Sequence, residues 1–74
     1  MGTEGNPKLL RKLAQRVKEL REKANLTQEN AFNDTGIHFG RIETGKRDFS
    51  VSTLKKICVY LQISMTDFFK GIKE

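Results

Sequence analysis

Seventy-four residues with a hydrophobic fraction of 36% make one small domain, near the lower limit for folding on a single apolar core. A lone cysteine excludes an internal disulfide and a cysteine cluster for metal, and it fits a reducing cytosol, while no apolar run approaches the ~18 residues that cross a bilayer. The net charge of +5 sits between Lys8 and Lys23, where seven basic residues face two acidic ones; the remainder holds seven of each. Such a surface suits a polyanion, nucleic acid or anionic lipid, and equally an ordinary solvated helix face, so charge alone decides nothing.

In chain order, residues 1–5 hold nothing to bury, and 1–6 read as a disordered N-terminal segment. Asn6 stands where a myristoylation signal needs Ser or Thr, so Met1-Gly2 opens no lipid anchor. Asn6-Pro7 signals a helix start, and Leu9, Leu13, Val17, Leu20 and Ala24 follow as one apolar stripe, with Arg21 at its edge beside Leu10 and Asn25 as the helix end. Thr27 caps a second helix from Gln28 to about Asp34, whose apolar residues are Ala31 and Phe32. Gly36 permits a turn, and a third helix runs from near His38 to Thr44, with Gly45 as its left-handed end. Lys46-Arg47-Asp48-Phe49 is a loop. Ser50 or Ser52 caps a fourth helix with Val51, Leu54, Ile57, Cys58 and Leu61 on one arc; Ser64-x-x-Asp67 caps a fifth that carries Phe68 and Phe69 as core. No stretch alternates with period two. The fold class is all-α, five short helices.

Leu26 to Arg47 organises the chain: two short helices around a glycine turn, with basic residues just past the second, describe a helix-turn-helix. Leu26-Thr27-Gln28-Glu29 and Arg41-Ile42-Glu43-Thr44-Gly45-Lys46 resemble the two sequence blocks of the lambda-repressor-like (XRE-type) helix-turn-helix family. The likeness extends from about Leu13 through Phe69. It implies a compact five-helix domain, set at residues 7–70 with a tail at 71–74, of bacterial or phage origin. It also implies a cytoplasmic transcriptional repressor that binds double-stranded DNA as a homodimer and needs no cofactor.

In such proteins the N-terminal residues of the second helix of the motif meet base edges, which here means His38, Phe39, Gly40 and Arg41. Arginine can donate twice to guanine, histidine can donate or accept, and phenylalanine can pack on a thymine methyl. Each has a plainer role open to it: Phe39 a core aromatic, His38 a helix cap, Arg41 a phosphate clamp or a partner for Glu43. The resemblance implies that Gln28 contacts the DNA backbone, with Thr27 as cap and second contact. Lys46 and Arg47 add phosphate contacts on the flank, or serve loop solubility. Glu43, which phosphates repel, is implied to pair internally with Arg21.

Two departures from the family stand out. Between Gln28 and Glu43 the chain is three residues shorter than the usual spacing, a loss that falls either in the recognition helix or in the second helix and its turn. Ala31-Phe32 also replaces the usual Leu-Ala order.

Catalysis is not expected, because one His, one Cys and no phosphate-cradling loop leave no converging reactive groups; Cys58 reads as a buried structural thiol. Val59 and Tyr60, off the core arc, are a candidate dimer patch. The competing function is a protein-binding module, an antitoxin or adaptor holding a partner protein. A membrane-surface role for the basic first helix is distant, since its aliphatic stripe has no aromatic anchor.

Overall fold

Helix ends in this chain are set by single side chains. In the computed structural model, which describes residues 6–72, the Asn6 side chain accepts the Leu9 amide at 3.0 Å and Pro7 takes the first helical position. Asn6 therefore belongs to the folded unit; residues 1–5 and 73–74 lie outside the described residues. α1 runs Pro7–Lys23 and closes with Asn25 N–H to Glu22 O and Leu26 N–H to Arg21 O, with Asn25 left-handed at φ 60°.

α2 (Gln28–Thr35) opens with a reciprocal cap: Thr27 Oγ1 accepts the Asn30 amide at 2.9 Å and Asn30 Oδ1 accepts the Thr27 amide at 3.1 Å. It ends at Gly36, φ 75°, where a Cβ would be strained. Thr35 Oγ1 donates to Ala31 O at 2.7 Å and accepts from the Ile37 amide at 3.0 Å, fixing the turn. α3 (Phe39–Ile42) has four residues, not the seven expected from 38 to 44, although Gly45 is left-handed at φ 74°. Ser50, rather than Ser52, caps α4 (Val51–Tyr60), and Ser64 caps α5 (Met65–Lys70) by accepting the Asp67 amide. The described residues form no strand.

One core joins all five helices: Leu13 and Val17 of α1, Ala31 of α2, Phe39 and Ile42 of α3, Leu54, Ile57 and Cys58 of α4, and Phe68 of α5. The stripe on α1 differs from expectation. Leu10, Leu13, Ala14, Val17 and Arg21 are buried, Leu9 and Leu20 only half-buried, and Ala24 exposed. The arc is rotated because Arg21, kept at the edge in the sequence reading, is itself drawn inward. Val51 at the start of α4 and Phe69, both assigned to the core from sequence, are exposed, and so is Phe32. Ile72 packs against the core, so the folded unit reaches past the expected boundary at 70.

Candidate nucleic-acid interface

A four-residue helix has no stability of its own, and α3 is held by its first and last residues, Phe39 and Ile42, three apart and both buried. Phe39 has no exposed surface, and its ring meets the edge of Tyr60 at 6.2 Å. Phe39 is therefore a core anchor and not a base contact. Tyr60 in turn donates to Asp34 Oδ2 at 2.6 Å, a bond that raises the phenol above its ordinary range. Tyr60 is half-buried and bonded to α2, while Val59 beside it is 64% exposed.

The start of α2 and the end of α3 meet through Glu43. Arg21 donates to both of its oxygens, Nε to Oε2 at 2.8 Å and Nη2 to Oε1 at 3.0 Å, and Nη1 reaches Leu26 O at 2.6 Å. Both side chains of the pair are under a tenth exposed. Hydrogen bonding to Glu43 outweighs desolvation and raises the Arg21 guanidinium above its already high ordinary pKa. Gln28 supplies a third donor, Nε2 to Glu43 Oε1 at 3.0 Å. Its own carbonyl lies 3.2 Å from where a Cβ on Gly40 would stand. Gly40, expected at the base edges, thus makes room for Gln28 on that side.

Thr27, Gln28, His38, Gly40, Arg41, Lys46 and Arg47 are all exposed. Arg41 is not a partner of Glu43. Its carbonyl accepts Thr44 Oγ1 at 2.7 Å, and Thr44 Oγ1 accepts the Lys46 amide at 3.3 Å, which ties the basic loop to the end of α3. Gly45 packs against Arg11 and Ala14 of α1. His38 occupies the cap position of α3 without capping it, its ring stacked on Phe32 with centroids 4.5 Å apart. α2 spans eight residues, about two turns, and α3 four, about one.

Cys58 is buried, and burial, set against the attraction of Lys55 and Arg16, pushes its thiol up. Among the described residues no group of His, Cys, Asp and Glu is placed to hold a metal ion, and no helix is long and apolar enough to cross a membrane.

No curated protein and no solved structure matches the chain. A family model described as helix-turn-helix matches residues 17–68, which takes in α2, the turn, α3 and every residue of the core cluster but Leu13. The chain belongs to the XRE-type, lambda-repressor-like helix-turn-helix family, a family of DNA-binding regulators.

Proposed function

We propose that this chain is a sequence-specific, double-stranded DNA-binding transcriptional repressor that presents α3 to the major groove and acts as a dimer on two half-sites. The observation that carries the reading is the charge around α3. Arg41, Lys46 and Arg47 stand exposed, and of the two acids in the same stretch, Glu43 and Asp48, Glu43 is bound by Arg21. A cationic rim with its carboxylate neutralised from behind suits a phosphate backbone.

Within that reading Arg41 donates to a guanine edge or clamps a phosphate, and His38 meets a base edge. Thr27 and Gln28 hold a phosphate at the start of α2, where unpaired amides and the positive end of the helix dipole favour an anion. One hydrogen of the Gln28 amide goes to Glu43, and the other remains for that phosphate. Lys46 and Arg47 hold the flanking backbone.

Selection of the purified chain on random duplex DNA at ~150 mM salt tests the proposal, because weak nonspecific binding fades there. An enriched palindrome supports a sequence-reading dimer and gives the half-site spacing. No enrichment overturns it in favour of the antitoxin or adaptor reading, in which exposed Val51, Val59 and Phe69 contact a partner protein with little salt dependence.

A further inference from the structure

An apolar side chain at the surface is ordinary when it stands alone. Phe32 does not stand alone. It is 40% exposed, and its ring lies nearly parallel to that of His38, 27° between planes and 4.5 Å between centroids. His38 is exposed and sits immediately before α3, with no side-chain bond to the helix it precedes and no hydrogen-bond partner for its ring among the described residues. The stack therefore holds one plane of the imidazole fixed while leaving both of its nitrogens to an outside group. Beside them lies the part of the Phe32 side chain left exposed. The buried ring of Phe39 cannot supply such a surface.

Resting on the DNA-binding reading above, we propose that Phe32 and His38 form one base-reading unit. The Phe32 ring takes the methyl group of a thymine in the major groove, and it orients His38 toward the edge of the adjacent base. A thymine methyl is the apolar mark of that groove, and imidazole can donate to or accept from the purine edges beside it. In this assignment the apolar base contact comes from α2, and the residue that precedes the short α3 reads the polar edge. Phe32 is a specificity-determining residue and a positioning residue for His38.

The test compares thymine with uracil, which lacks only the methyl. The wild-type chain is first selected on random duplex DNA at ~150 mM salt, and the enriched site is then synthesised with deoxyuridine replacing thymine one position at a time. At one thymine per half-site the replacement lowers affinity roughly fourfold, the equivalent of about 0.8 kcal/mol for one buried methyl-sized group. Phe32→Ala binds the thymine and uracil sites equally and weakens preference at the neighbouring position, and His38→Ala loses that neighbouring preference while keeping sensitivity to the methyl. Wild-type binding indifferent to every methyl overturns the proposal without the need of a variant, as does methyl sensitivity that survives in Phe32→Ala. An intact motif indifferent to methyl sinks this assignment alone; the absence of any enriched motif sinks the DNA-reading proposal and this one with it.

Discussion

α1 sends two arginines, five residues apart, to the ends of two other helices, and the protein holds them differently. Arg21 is 7% exposed and meets the Glu43 carboxylate with two of its nitrogens. Arg16 is half-buried and meets only carbonyls at the end of α5, with Nε to Phe68 O and Nη2 to Asp67 O, both at 2.9 Å. Its guanidinium also lies 6.0 Å from the centre of the Phe68 ring. A cation withdrawn from water needs a countercharge, whereas one still half in water is satisfied by the dipoles of a helix C-terminus. The first arrangement sits behind the candidate DNA face; the second staples the last helix to the first.

The largest effects belong to Arg21. Arg21→Ala leaves Glu43 buried without its charge partner, and Glu43→Ala does the reverse; each is expected to cost ~3–5 kcal/mol, a fall of more than about 12 °C in the thermal midpoint. Replacing both with methionine restores most of it, since the loss comes from the unpaired charge. Thermal unfolding followed by circular dichroism measures all three variants, and an Arg21→Ala no weaker than Arg16→Ala would erase the contrast. Arg16→Ala should cost about 1 kcal/mol, less than the ~1.5–3 kcal/mol usual for hydrogen bonds to a charged group, because water replaces part of what is lost. Its effect concentrates at the end of α5, where hydrogen exchange at Gly71 and Ile72 quickens while α3 is unchanged.

Two smaller effects sharpen the contrast. In Gly40→Ala a gain of ~1 kcal/mol in helix propensity opposes the displacement of Gln28 from its place beside Glu43. Gly40→Ala is therefore more stabilising in a Gln28→Ala background than in the wild type; equal effects in urea unfolding would show that Gln28 is no real member of the Arg21 network.

The last effect is on pH. The folded chain holds the Cys58 thiol proton that the unfolded chain releases, so stability is full below the ordinary thiol range and falls as pH rises through it. The slope is at most ~1.4 kcal/mol per pH unit. Cys58→Ala flattens that slope between pH 7.5 and 9.5. Arg16→Ala steepens it, because Arg16 lowers the thiol against burial.

The capping residues were legible in the sequence because each acts within one turn of chain: Asn6, Thr27, Ser64, and the glycines at 36 and 45 need only their own backbone as partner. The burial of Phe39 was not. A helix of four residues has too few positions to define a period, so nothing local separates an aromatic facing in from one facing out. The exposure of Phe32 was no more legible, since α2 offers Ala31 and Phe32 side by side and its pattern does not say which faces in. Arg16 left no pattern, because its partners are carbonyls some fifty residues away and every residue has one. Gln62, left-handed at φ 58° after α4, lies where Asn or Gly would have given a signal.

The brevity of α3 bears on how the protein is made. Peptide helices shorter than ~12–15 residues scarcely form in water, so this one exists only while Phe39 and Ile42 sit in the core shared with α1, α2, α4 and α5. Those core residues reach as far as Phe68, and the ribosome delivers α3 before it delivers α4 and α5. A nascent or nicked chain can therefore contain every residue of the helix-turn-helix and still be blind to DNA. Competence to bind arrives with the final closure of the fold, all at once.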